Sequence, residues 1–349
     1  MRATLIHGPR DIRLEDVDDP RIQQPTDAVV RVVAACVCGS DLWPYRGVRR
    51  LTAPRRMGHE FVGVVEQVGA EVATVRPGDF VIAPFVLSCG TCAHCRNGIT
   101  TSCERGGAWG APDRDGLLID GGQGEYARVA LADGTLVAVP GTPDSAMVRG
   151  LLTLSDVMGT GHHAAVSAHV RPGSTVAVVG DGAVGLCGVI AAKRLGAQRI
   201  VMFSRHVARQ KLAMDFGATD IIDQRGADGV ARLTELLGGI GADAVLECVG
   251  TKESMQQAID SNRPGGYVGY VGVPAGGPEL PIGQLFSNNI NVAGGVAPVR
   301  TYLPDLLGEV LDGTIDPGRV FDLELPLSEV AEAYAAMDER RAIKSLIRP

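Results

Sequence analysis

The chain has 349 residues, 45% of them hydrophobic and 21% charged. That length implies roughly two domains, since one core seldom serves more than ~250–300 residues. Lys and Arg number 33 against 40 Asp and Glu, a net charge of −7, with no basic block to suggest nucleic acid. No apolar run nears the ~20 residues of a membrane span, and the N-terminus MRATLIHGPRDIRLEDVDDP lacks the apolar core of an export signal, so a cytoplasmic protein is expected.

The first ~150 residues read as β-rich. Apolar or alternating stretches at 27–37, 60–69 and 79–87 predict strands, and Arg76-Pro77-Gly78-Asp79 is a turn signal leading into the last of them. Next comes CGTCAHCRNGITTSC, which places Cys89, Cys92, Cys95 and Cys103 within fifteen residues. Four thiolates so spaced can enclose one Zn2+ tetrahedrally with no open position, which makes the site structural. A chain of this size, with no export signal, does not need disulfide staples. His94 lies inside the loop, but four cysteines already satisfy the metal.

From residue 174, after the turn Arg171-Pro172-Gly173-Ser174, strand and helix alternate: a strand at 174–180, a helix at 183–196, a strand at 199–204, and a helix at 207–217 that ends on Gly217. Strands at 243–250 and 265–273 continue the theme, which predicts a doubly wound parallel sheet. INVAGG (290–295) reads as a strand near the sheet edge. Beyond about 295, LPDLLGEVLDG and SEVAEAYAAMDERRA read as amphipathic helices outside that sheet.

Between the first of these strands and its helix lies Gly180-Asp181-Gly182-Ala183-Val184-Gly185, a GxGxxG in the strand–turn–helix setting of a dinucleotide site. Gly180 permits the turn, Gly182 lets backbone N–H groups approach the pyrophosphate, and Gly185 allows close helix packing. Where an NAD site carries an acid about 20 residues on, this chain has Ser204-Arg205-His206, with Arg209 one turn later and no carboxylate. A guanidinium forks onto a 2′-phosphate, so NADP(H) is expected over NAD(H).

Taken together, CGSD (38–41), GHEFVGVV (58–65), RPGDFV (76–81), the cysteine quartet, LSDVMGTGHHA (154–164) and GDGAVG (180–185) carry a resemblance. Over essentially its whole length the chain resembles the zinc-dependent medium-chain alcohol dehydrogenases. The resemblance implies an α/β protein with a GroES-like β-rich catalytic domain (1–157 and 296–349, with a structural-zinc lobe at about 88–110) and a Rossmann domain (158–295). It implies two Zn2+ per chain, the catalytic one held by Cys38, His59 and Asp156. Glu60 matches an acid able to enter the coordination sphere, and Asp41 a partner that orients the ligand histidine. Ser40 matches the hydroxyl that starts the proton relay. Thr160, Val249, Val271, Gly272 and Val273 match nicotinamide-cofactor contacts, and Lys344 a basic residue near the pyrophosphate.

One departure stands out. Many relatives end the relay on a histidine where this chain has Trp43. Trp43, Phe85 and Trp109 are the expected substrate-pocket aromatics, which would suit apolar substrates; packing of the lobe is an equal reading for Trp109. His162 and His163 are adjacent on a helix and cannot both face one ion, and Cys187 and Cys248 read as small core residues. The implied activity is hydride transfer between NADP(H) and a small alcohol, aldehyde or ketone, by a homodimer or homotetramer. NAD-dependent polyol, threonine or formaldehyde dehydrogenases of the same superfamily share these motifs. A non-catalytic NADPH-binding redox sensor is the alternative outside enzymes.

Overall fold

Ala28–Cys36, AVVRVVAAC, is apolar at nearly every position and forms a strand buried along most of its length. Phe61–Val68 pairs antiparallel along one side of it. On the other side lie Tyr126–Val129 at one end and Lys344–Arg348 at the other. These belong to a seven-stranded sheet that also contains Phe321–Pro326, Phe80–Ala83 and Val137–Val139. The computed structural model describes residues 1–50, 54–274 and 279–349. By contacts the chain divides into two units, Met1–Asp156 with Pro298–Pro349, and Val157–Ala297.

In the first unit, a core of Val30, Phe61, Val81, Leu87, Trp109 and neighbouring residues packs between strands and loops. A smaller antiparallel sheet joins Asp11–Asp16, Arg2–Gly8 and the two-residue strand Arg55–Arg56. The strand expected at 79–87 stops at Ala83. Pro84 has no N–H for a ladder, its carbonyl instead accepts from Trp109 Nε1 at 3.1 Å, and Phe85 N turns to Ser155 O at 3.0 Å. After residue 295 the expected helices form at Val299–Leu311 and Val330–Asp338. Two strands not expected there, Phe321–Pro326 and Lys344–Arg348, return into the sheet. KSLIR concealed the second because its lysine and serine are buried along with its apolar residues.

Arg128 is the largest buried side chain of this unit, 1% exposed. Its Nε lies 2.6 Å from Asp27 Oδ2, its Nη2 3.3 Å from Asp113 Oδ2, and its Nη1 donates to Leu118 O. Removing one member of such a network strands the opposite charge without solvent. Arg128→Met is therefore expected to destabilise the protein by about 3–5 kcal/mol in denaturant unfolding. A change under about 1 kcal/mol would mean that Asp27 finds water or another donor.

In the second unit, six parallel strands lie in the order Asp220–Ile222, Arg199–Phe203, Thr175–Val179, Ala242–Glu247, Asn262–Tyr270, Asn291–Gly294. In chain order that is 3-2-1-4-5-6, the Rossmann arrangement, with Asn291–Gly294 at the edge. Val176, Ala177 and Val178 on the central strand are fully buried, as a parallel sheet covered on both faces requires. The helix Val207–Phe216 ends on Gly217 at φ +117°, the left-handed cap. No helix among the described residues is long and apolar enough to cross a membrane.

Candidate functional site

Register brings the first cluster together. Ala35 pairs with Phe61, so Cys38, just past the end of one strand, meets His59 and Glu60, just before the start of the next. Asp156 arrives from the turn after the helix Ser145–Thr153. Ligand atoms of Cys38, His59, Glu60 and Asp156 all lie within 4.8 Å of one another. Cys38 Sγ and His59 Nε2 each stand 3.7 Å from Asp156 Oδ2. Donors about 2.0–2.3 Å from a tetrahedral Zn2+ stand about 3.3–3.7 Å apart, so the spacing fits the metal. Glu60 Oε2 is buried without a hydrogen-bond partner, which suits a carboxylate facing a cation.

Behind the cluster, Asp41 Oδ1 lies 3.3 Å from His59 Nδ1, so the imidazole turns Nε2 inward. Asp41 Oδ2 also accepts from the Cys38 amide at 3.0 Å and from Gln123 Nε2 at 3.4 Å. Gln123 is a support the sequence did not signal. It donates to Cys36 O and accepts from Tyr334 O–H at 2.9 Å, tying the cluster to the C-terminal helix. Lys344, matched above to a residue near the pyrophosphate, is instead buried in the first unit against Glu60. Its Nζ is buried 2.8 Å from Glu60 Oε1 and 3.2 Å from Val37 O. Burial opposes its charge, but Cys36 and Glu60 outweigh that and raise its pKa, which keeps the ammonium protonated.

The second cluster is the quartet Cys89, Cys92, Cys95 and Cys103, none in a disulfide. Cys92 and Cys103 sulfurs are 4.0 Å apart, close to the about 3.8 Å expected of two thiolates on one Zn2+. Backbone amides of Thr91 and Cys92 donate to Cys89 Sγ at 3.4 and 3.3 Å, and that of Cys89 to Cys103 Sγ at 3.2 Å. Burial would raise the Cys89 thiol, but the Thr91 hydroxyl and these amides bring it down to about 6. The donor set fits a closed structural zinc. His94 is not a member, and neither His162 nor His163 belongs to either cluster.

In the second unit Gly182 caps the helix Ala183–Arg194 with no side-chain hydrogen bond, and a Cβ there would meet open space. The backbone at Gly182 is thus unobstructed on its Cβ side, which leaves room for a phosphate to approach the helix N-terminus closely. Gly185 cannot be replaced cheaply, because a Cβ would lie 1.7 Å from Gly180 O. A carboxylate does reach the end of the second strand, contrary to the sequence reading. Asp181, from the glycine motif itself, accepts from Ser204 Oγ at 2.8 Å and lies 3.5 Å from Arg209 Nη1. Ser204 and Arg209 are therefore engaged with Asp181, whereas the Arg205 side chain is exposed. Thr160 is buried in the helix Val157–Ser167, and Ala183 and Val184 open the Ala183–Arg194 helix. Val249 and Val273 are exposed at strand ends, and the Val271 and Gly272 amides both donate to Glu247 O.

A cavity of about 120 Å³ adjoins the first cluster, lined by Ser40, His59 and Trp109 and by Arg49, Arg55 and Arg56. Trp109 packs edge-on against Phe61 with ring centroids 5.0 Å apart, the packing reading, and also borders this cavity. Phe85 stands edge-on to the His59 ring at 6.3 Å. Trp43 holds the Arg46 guanidinium 5.8 Å from its ring centre. The arginines were missed, although RGVRRLTAPRR puts five of them between 46 and 56. The acidic total concealed that local excess.

A chain that holds a Rossmann unit and a β-rich unit, the latter with one closed four-thiolate cluster and one mixed Cys-His-carboxylate cluster, has the make-up of a zinc-containing, nucleotide-dependent oxidoreductase. Family comparisons agree. The Alcohol dehydrogenase GroES-like domain matches residues 24–141, and the Zinc-binding dehydrogenase domain matches 183–311. The chain is 32% identical to zinc-type alcohol dehydrogenase B of Aspergillus flavus, covering all of this chain (100%) and 81% of that one. It is 35% identical to a probable zinc-binding alcohol dehydrogenase of Mycobacterium tuberculosis, over 100% of this chain and 89% of that one. Alcohol dehydrogenase TADH from Thermus sp. ATN1 superposes with a TM-score of 0.90 at 34% identity, covering 100% and 99% of the two chains. The chain belongs to the zinc-dependent medium-chain alcohol dehydrogenase family, and that membership implies Zn2+ and a nicotinamide cofactor.

Proposed function

We propose that this protein transfers hydride between NADP(H) and a small alcohol, aldehyde or ketone, with one catalytic and one structural Zn2+ per chain. The observation that carries the reading is the convergence of Cys38, His59 and Asp156, with Glu60, in a single buried cluster. When bound, the metal supplies Lewis-acid polarisation of the substrate oxygen and the nicotinamide supplies the hydride acceptor or donor. Cys38, His59 and Asp156 hold the metal, Asp41 orients His59, and Glu60, anchored by Lys344, stands beside them. Ser40, half-buried at the cavity wall, takes the proton of the substrate hydroxyl and passes it on. Gly180, Gly182 and Gly185 shape the pyrophosphate cradle.

Measuring zinc content together with NADPH oxidation across a carbonyl panel tests the reading. Two zincs per chain and carbonyl-dependent oxidation are expected. Tight NADPH binding with no turnover would instead identify a non-catalytic nucleotide-binding protein.

The preference for NADP(H) rests on Arg205, whose exposed guanidinium is available to a 2′-phosphate. Arg205→Gln is expected to lower kcat/KM for NADPH about tenfold or more while changing that for NADH little. Equal losses with both cofactors, or a wild-type preference for NADH, would overturn it. Pairing of the edge strand Asn291–Gly294 with its two-fold mate would build a homodimer. The solution mass tests this, and a monomer at micromolar concentration would refute it.

A further inference from the structure

We propose that the cavity beside the first metal cluster is an anion subsite, built on Arg55 with Arg49, which selects alcohols and carbonyl compounds that carry a carboxylate or phosphate group. The proposal rests on the reading above for the reaction and adds the substrate class.

Arg55 is held firmly. It lies in the strand Arg55–Arg56, where Ile6 pairs with Arg55 and Leu5 with Arg56. Its Nη2 donates to Trp109 O at 2.6 Å, its one hydrogen bond among the described residues. Gly110 is shaped for it, since at φ +69° a Cβ would come within 3.1 Å of Arg55 Nε and 2.1 Å of Arg56 O. Five N–H donors in a planar fork, with one used, leave an edge for a two-oxygen acceptor.

Other charges around the cavity are accounted for. Arg56 is paired with Asp120. Asp41, the one acid on the wall, is engaged with the Cys38 amide, His59 and Gln123. Neither Arg49 nor Arg55 pairs with a carboxylate among the described residues. Burial chiefly, and then the neighbouring Arg49 charge, lowers the pKa of the Arg55 guanidinium against a weaker opposing pull from the Asp41 carboxylate, so the charge balance is still unfavourable and an incoming anion would improve it. Because Ser40 and His59 line the same cavity, an anion seated there would lie within one small molecule's reach of the metal cluster. A purely apolar substrate would strip water from the unused edge of the half-buried guanidinium without replacing its hydrogen bonds, which costs more than an apolar contact returns.

The test compares matched aldehydes with NADPH: 4-oxobutanoate against butanal, and glycolaldehyde phosphate against glycolaldehyde. The wild type is expected to favour at least one anionic member by about tenfold in kcat/KM, mainly through KM. The pair that shows the preference identifies carboxylate or phosphate. Arg55→Gln should lower that ratio about tenfold, Arg55→Lys should retain part of it, and Arg46→Gln, whose arginine pairs with Asp338, should leave it unchanged. Ratios near one for both pairs, or a ratio unaltered in Arg55→Gln, would overturn the subsite while leaving the dehydrogenase reading intact.

If no aldehyde is turned over, that reading fails and the subsite is judged by calorimetric titration with butanoate and inorganic phosphate. Binding about tenfold weaker in Arg55→Gln upholds it, and equal or undetectable binding in both proteins overturns it.

Discussion

Asp156→Ala is expected to lower kcat/KM by about 10³-fold or more while NADPH binding stays within a few-fold of wild type. Its carboxylate is the donor that both Cys38 Sγ and His59 Nε2 face at 3.7 Å, and no other described carboxylate joins that group except Glu60. Glu60 is tethered through Oε1 to the buried Lys344 at 2.8 Å, which limits how far it can shift into the vacated position although its Oε2 is unpaired. Cys38→Ser should behave alike. Nucleotide binding survives because GDGAVG and its helix belong to the other compact unit. Asp41→Asn should be milder, about 10–100-fold, because it misorients a ligand rather than removing one. Steady-state rates, zinc analysis and NADPH fluorescence titration check the set. Near-normal activity in Asp156→Ala would show that the third ligand lies elsewhere.

Cys103→Ser is expected to act on stability before activity, with zinc content falling by one per chain. Cys89 to Cys103 spans fifteen residues, and closing a loop of that length is worth about 3 kcal/mol of chain entropy. A loss of that size corresponds to roughly 6–12 °C in melting temperature for a unit of this size. Damage would spread along defined contacts: the Gly98 carbonyl accepts from Thr301 Oγ1 at 2.9 Å at the start of the helix Val299–Leu311, and Ser88 is tied to Thr135 and Gly134. Purified variant that still contains the catalytic metal should retain most of its kcat when assayed well below its new melting temperature. An unchanged melting temperature, or loss of kcat with stability intact, would contradict a structural role.

Local pattern carried much of the molecule. Parallel strands with flanking helices, the Gly217 cap, GDGAVG and the cysteine quartet are short-range features, each legible because backbone geometry or metal chemistry demands particular residues within a few positions. Even Cys38, His59 and Asp156 were singled out by resemblance, though spacings of 21 and 97 residues along the chain say nothing by themselves of proximity.

Long-range pairing was invisible. Lys344 joins Glu60 only because the C-terminal strand pairs with Ala28–Cys36, which puts a charge from the end of the chain beside the metal cluster. Asp181 reaches Ser204 across the top of adjacent parallel strands, supplying a carboxylate where the linear spacing showed none. Arg55 gains its place from hydrogen bonds to the first strand and to Trp109, more than fifty residues away. Sequence alone thus determined the residue types from which the two clusters are built, the quartet by its short spacing and the other by resemblance, because ligand chemistry depends on residue type. Which charges stand beside them, and which are already neutralised, was decided by the tertiary structure, because electrostatic pairing depends on distance through space and on burial.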